Sequence, residues 1–163
     1  MNTNIGSLLT KRTLMNPSNE ALFDVVQDQR FTYLELNDLT NTVAHGLLAR
    51  GVKPGDRVAL LLMNSTEFIT TFFAIAKIGA VVVPLNWRLV SDELEFILKD
   101  SGTTVLVSGS EFVDNVKELQ SRGNKTDVRE WIHVGNADTL PTFALPFEQL
   151  HQGQPSTEPP VGS

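Results

Sequence analysis

The sequence contains no cysteine. That excludes disulfides, thiolate metal sites and cysteine nucleophiles from these 163 residues. It also lacks a long hydrophobic run. The longest is broken by Asn64, Thr66 and Glu67, well short of a bilayer span, so no transmembrane segment is expected. The first residues, MNTNIGSLLTKRTLM, have no apolar core of signal-peptide length, which points to a cytoplasmic protein. Basic residues are scarce and scattered. Thirteen Lys plus Arg stand against 19 Asp plus Glu, for a formal net charge of −6. Nucleic-acid surfaces need clustered cations, so no nucleic-acid partner is expected. Neither a G-x-x-x-x-G-K-S/T nor a G-x-G-x-x-G phosphate motif occurs. The histidines, His45, His133 and His151, show no metal-ligand spacing and are read as structural or solvent-exposed.

What is present is patterning. Arg57 to Leu89 is the most apolar stretch and reads as a βαβ unit. A buried strand, Val58 to Met63, precedes a helix capped by Asn64 or Ser65, with Glu67 in its first turn. Phe68, Ile69, Phe72, Phe73 and Ala76 recur at helical spacing, and Ile75 widens the stripe, so this helix is expected to be mostly buried. Gly79 ends it, and Val81 to Val83 form the second strand. Two buried strands joined by a helix imply a parallel sheet.

Around this unit the chain alternates. Ile5, Leu8, Leu9 and Met15 mark a short amphipathic helix whose Lys11 and Arg12 face water, and Ala21 to Gln27 a strand that turns at Asp28-Gln29 and returns at Arg30 to Thr32. Thr32 and Glu35 match a capping box, worth about 1 kcal/mol to the helix lined by Leu36, Leu39, Val43, Leu47 and Leu48. Ser91 is expected to cap a helix buried through Leu94, Ile97 and Leu98, and Ser108 with Glu111 to cap one buried through Phe112, Val113, Val116 and Leu119. Strands are expected at Thr103 to Val107 and Trp131 to Val134. Two segments result: an α/β portion over 1–151 and, over 152–163, a flexible Pro-rich tail or a linker toward a further portion. The fold class is a layered, largely parallel α/β sheet with flanking helices.

Three features invite a functional reading. Ser101-Gly102-Thr103-Thr104 has the composition of a phosphate loop, but Val105 and Leu106 follow where glycine and lysine are needed. It reads as a helix end entering a strand. Asp92, Glu93 and Glu95 form a carboxylate cluster, and helix-start electrostatics accounts for the first two. Arg88 lies in a loop beyond the carboxyl end of a parallel strand, the edge where open α/β sheets bind ligands. It could fork onto a phosphate or pair with Asp92 or Glu93, and Asn86 is expected to fix the loop through local backbone bonds.

The order of segments resembles the amino-terminal region of the adenylate-forming acyl-CoA synthetases. The features that carry the resemblance are Thr32-Tyr33 with Glu35-Leu36, Gly51, Gly55-Asp56-Arg57-Val58-Ala59, Asn64 before the Phe-rich helix, Gly79-Ala80, Pro84-Leu85-Asn86 and Arg88-Leu89. It covers Ile5 to Val107 well and the remainder loosely. It implies a ligase in which a carboxylic-acid substrate attacks ATP, giving an acyl-adenylate, and the acyl group passes to the thiol of coenzyme A, with Mg offsetting phosphate charge. It also implies a coenzyme A phosphate contact for Arg88 and favours a long-chain fatty-acid substrate. The family's ATP loop, adenosine motifs and catalytic lysine come later than the matched region, so the expectation is an amino-terminal fragment, inactive alone. Its partner would be the remainder of the AMP-binding domain, with homo-oligomers forming through any apolar surface left exposed. The alternative is a standalone, non-catalytic α/β binding module derived from the same family.

Overall fold

The computed structural model describes residues 4–160. The chain divides into two compact units. One comprises the described residues up to Gly55, Asn64–Ala80 and those from His151; the other comprises Asp56–Met63 and Val81–Leu150.

The first unit holds α1 (Gly6–Met15), β1 (Glu20–Asp24), β2 (Gln29–Thr32), α2 (Tyr33–Ala49) and α3 (Thr66–Lys77). β1 and β2 pair antiparallel, from Glu20 opposite Thr32 to Asp24 opposite Gln29. The strand expected to reach Gln27 stops at Asp24. That side chain accepts the Gln27 N–H at 3.1 Å, Asp28 adopts φ 50°, and Val25 and Val26 are left exposed at the tip. At the start of α2 the capping box forms as expected. Thr32 Oγ1 accepts from the Glu35 N–H at 3.2 Å, and Glu35 Oε1 accepts from the Thr32 N–H at 3.0 Å.

Two buried faces differ from expectation. On α1 only Leu9 of the expected apolar set is buried, joined by Gly6 and Thr13, while Ile5, Leu8 and Met15 are exposed. The reason is close approach: a Cβ on Gly6 would lie 2.6 Å from the Lys77 backbone nitrogen, so α1 meets α3 at its backbone. On α3 the buried line is Thr66, Thr70, Thr71, Ala74, Ile75 and Lys77. Small side chains let α3 pack closely on α2, and Phe68, Ile69, Phe72, Phe73 and Ala76 are only half-buried. The rings pack on one another instead, Phe68 to Phe72 at 6.4 Å and Phe72 to Phe73 edge-on at 5.5 Å. Of the two candidate caps, Ser65 is used: its Oγ accepts from the Phe68 N–H at 3.2 Å.

The second unit is an α/β layer built from β3 (Arg57–Leu61), β4 (Val81–Pro84), α4 (Ser91–Ser101), β5 (Val105–Gly109), α5 (Val113–Ser121), β6 (Glu130–Val134), β7 (Leu145–Pro146) and α6, which runs Phe147–His151. Its five strands lie in the order β4-β3-β5-β6-β7, and every neighbouring pair is parallel. Strands β3 and β5 are central. Their alternating side chains Ala59, Leu61 and Leu106 meet Leu94, Leu98, Phe112, Val116 and Leu119 of the helical layer in one apolar cluster. The continuous apolar runs 58–61 and 105–107 are thus strands buried on both faces.

Two expected caps do not form here. Ser91 is already the first helical residue of α4 and is buried, with its hydroxyl on Glu118 rather than on its own helix start. Ser108 is consumed by β5, opposite His133, so it cannot cap α5; a 3-10 turn at Ser110–Phe112 leads into that helix without a side-chain cap. β7 and α6 were not anticipated, since a two-residue strand ending in Pro146 leaves no periodicity to read.

Candidate functional site

Among the described residues no His/Cys/Asp/Glu group is arranged to hold a metal ion, and no helix is long and apolar enough to cross a membrane. His133 is buried, its Nε2 3.0 Å from Thr139 Oγ1, and burial holds its pKa below the ordinary value. His45 Nε2 lies 2.9 Å from the Thr157 carbonyl oxygen.

The loop after β4 carries Arg88. β4 is an edge strand, and the Leu85 N–H still bonds to the Leu60 carbonyl at 2.9 Å before the chain turns outward. Asn86 Oδ1 then accepts the Arg88 N–H at 3.0 Å, and its carbonyl accepts the Leu89 N–H at 3.1 Å, so Asn86 fixes the turn as expected. The Arg88 side chain is exposed, its guanidinium 5.0 Å from the centroid of the half-exposed Trp87 ring. No salt bridge to Arg88 occurs among the described residues; Asp92, one expected partner, is bonded at 2.8 Å to Arg122 instead. Beside this loop an open groove of ≈ 780 Å³ is lined by Met63, Trp87, Leu89, Phe112, Asp92 and Glu118. Both acids face Arg122, which also meets Glu95 at 3.4 Å. Hydrogen bonds that Arg122 donates to Glu118 and then Asp92 keep it fully protonated, and Arg122 in turn holds Glu118 below the ordinary carboxylate value.

The Ser101–Thr104 stretch does not fit a nucleotide phosphate. Its amides are already used: Gly102 N–H bonds to Lys99 O, Thr103 N–H to Leu98 O and Thr104 N–H to Arg57 O. Gly102 takes φ 67° as the left-handed cap of α4.

The most unusual charged group was not singled out by sequence reasoning. Lys77, at the end of α3, has a side chain only 3% exposed. Its Nζ donates to Asn37 Oδ1 at 2.6 Å, Asn41 Oδ1 at 2.8 Å and Glu158 Oε2 at 2.8 Å. Burial lowers its pKa below 10.5 despite Glu158. Burial also pushes Glu158 upward, but bonds from Lys77, Asn37 and Asn41 outweigh it and hold the carboxyl below 4.5. Two signals were legible: a lone lysine within FFAIAKIGA, and asparagines four residues apart on one face of α2. Its partner 81 residues away was not.

The AMP-binding enzyme family matches residues 9–161. The long-chain-fatty-acid–CoA ligase FadD13 of Mycobacterium tuberculosis is 40% identical over 138 residues, covering 84% of this chain and 27% of that protein. The crotonobetaine/carnitine–CoA ligase of Escherichia coli is 37% identical over 135 residues, covering 78% of this chain and 25% of that protein. The chain thus spans about a quarter of these relatives' length. Among solved structures, a Mycobacterium tuberculosis fatty acyl CoA synthetase superposes with TM-score 0.87 at 35% identity over 98% of this chain and 30% of that one. The anthranilate CoA ligase AuaEII, in complex with anthranoyl-AMP, gives TM-score 0.89 at 29% identity over 99% of this chain and 30% of that one. With that family match over most of its length, the chain belongs to the AMP-binding enzyme family.

Proposed function

We propose that this chain is the amino-terminal part of an ATP-dependent acyl-CoA ligase. That enzyme joins a carboxylic acid to AMP with release of pyrophosphate, then transfers the acyl group to the coenzyme A thiol. The observation that carries the reading is the family match across residues 9–161. The curated relatives named above are CoA ligases, and one of them, 40% identical, is a long-chain-fatty-acid ligase, which supports a fatty-acyl substrate. Arg88 is our candidate for a coenzyme A phosphate contact: it is exposed, bears no salt bridge among the described residues, and stands at a sheet edge suited to ligands. ATP and Mg are assigned to a further portion of the enzyme, which would also cover exposed apolar side chains such as Phe96; without it, self-association through them is expected. The segment from Gln152 is assigned as the connection to that portion, in a cytoplasmic protein.

ATP–pyrophosphate exchange with a panel of fatty, aryl and short-chain acids tests the reading. The complete ligase should exchange best with fatty acids, and the 163-residue chain should not exchange above a boiled control. Exchange by the isolated chain would overturn the assignment of adenylation to another portion. Arg88→Ala in the complete ligase should raise KM for coenzyme A and leave KM for ATP unchanged; an unaltered coenzyme A dependence would make Arg88 structural.

A further inference from the structure

Residues 154–159 form neither helix nor strand, and Pro155 and Pro159 donate no backbone hydrogen bonds. Pro159 alone among residues 152–160 is buried. Such a segment has little apolar surface to hold it in place, yet it is tied to three helices. Glu158 Oε1 accepts from Asn37 Nδ2 at 2.8 Å and Asn41 Nδ2 at 3.3 Å, and Glu158 Oε2 accepts from Thr10 Oγ1 at 3.1 Å. Lys77 Nζ bonds both carboxylate oxygens, at 3.1 and 2.8 Å. Asn41 Nδ2 also donates to the Ser156 carbonyl at 2.9 Å. The two asparagines each turn their oxygen to Lys77 and their amide to the segment, so cation and anion share one polar cradle. The requirement is unequal. Glu158 keeps 44% of its side chain in water, but Lys77 keeps 3%, and a buried ammonium left without an anion is strongly unfavourable.

We propose that Lys77 and Glu158 form a positioning lock, which fixes the segment Gln154–Pro159 and thereby the path of the polypeptide that follows it. In the ligase reading above, on which this step rests, the segment joins the present unit to the portion that carries adenylation. Lys77 is then a positioning residue for acyl-adenylate formation, although it touches neither substrate nor cofactor.

Two measurements test this. The first needs no activity: backbone 15N order parameters at Ser156, Thr157 and Glu158 in the 163-residue chain. They should lie near ~0.85 in the parent and fall below ~0.6 in Glu158→Gln, which removes the charge and turns one acceptor oxygen into an amide donor, with β3 and β5 unchanged. Lys77→Met should give the same loosening, and the double variant no more. Unchanged order parameters, or additive effects, would overturn the lock. The second uses the complete ligase, with the two half-reactions assayed separately. Glu158→Gln should lower kcat for ATP–pyrophosphate exchange at least tenfold, to order of magnitude ~10. Thioester formation from supplied acyl-adenylate should change by less than ~2-fold. Lys77→Met should follow it, and Lys77→Arg should recover part of the exchange rate. Equal losses in both half-reactions, or none, would overturn the positioning role. If the parent enzyme exchanges with no acid, the ligase reading fails while the order parameters still judge the lock.

Discussion

Lys77 and Arg122 each sit at the hub of a polar, charged cluster, one in each unit. Arg122 meets three acids, Asp92, Glu95 and Glu118, with 23% of its side chain exposed. Lys77 meets one acid and two amides and is almost wholly buried. The more numerous ion pairs raise the pKa of Arg122, as bonded acids should. The single pair at Lys77 fails to do so, because desolvation outweighs Glu158. Counting salt bridges would rank the Arg122 cluster first; burial reverses the order, since exposed pairs are screened and a buried charge depends on its partner.

The baseline for that comparison is the apolar core of the second unit, where no charge intervenes. Leu98 is fully buried within the cluster of Leu94, Leu106 and Leu119. Leu98→Ala should cost about 3 kcal/mol in urea unfolding, more than any change in either charged cluster. A smaller loss than that for Glu158→Gln would mean the polar cradle, not the apolar core, dominates stability.

Within the Lys77 cluster the two partners should behave unequally. Glu158→Gln strands a buried ammonium and should cost about 2 kcal/mol, discounted because the lost carboxylate is partly in water. Lys77→Met leaves a carboxylate that water can reach and should cost less. Denaturation of both variants reads this directly, and the opposite order would show that Lys77 is better solvated than its burial indicates.

The sequence disclosed what local spacing and strong periodicity encode. The Thr32–Glu35 box, the Ser65 cap, the Gly102 helix end and the strands expected at 58–63, 81–83 and 103–107, found at 57–61, 81–84 and 105–109, all follow from residues within one turn or one strand of each other. Ser108 carried the same capping signature and failed, because strand pairing with His133 claimed it first. The Phe-rich face of α3 misled for another reason: hydrophobicity ranks rings above threonine, whereas close helix packing selects Thr70, Thr71 and Ala74. The Asn86 turn was legible because it is local; the Lys77 cradle was not, because its anion comes from a Pro-rich stretch with no periodicity.

Acid should separate the two units in turn. Burial holds His133 below 6.5, with Glu148 and Glu111 pulling weakly the other way. The unfolded chain therefore binds more protons than the folded one just below 6.5, and stability present above that pH is lost as pH falls through the folded value. Glu158 is held below 4.5, so its contribution is present above 4.5 and lost only as pH falls through its own lower value. Between these limits the second unit should loosen while residues 154–159 stay docked. Amide exchange in β6 and order parameters at Glu158, followed from pH 7 to pH 4 in steps of about one unit, would show it. His133→Gln should remove the earlier limb alone, and loss of Glu158 order first would break the ranking.

The smallest effect belongs to the cluster with the most ion pairs. Arg122→Met removes a cation that faces Asp92, Glu95 and Glu118, leaving three acids around the end of α5. Asp92 is 85% exposed and Glu118 55%, so water and counterions replace most of what Arg122 supplied. A drop in Tm should be visible at low salt and vanish near ~1 M NaCl, where the Debye length is about 3 Å. Glu158→Gln should keep its deficit at the same salt, because solvent ions do not reach Nζ of Lys77. A salt-independent loss for Arg122→Met would instead place that guanidinium among the buried charges.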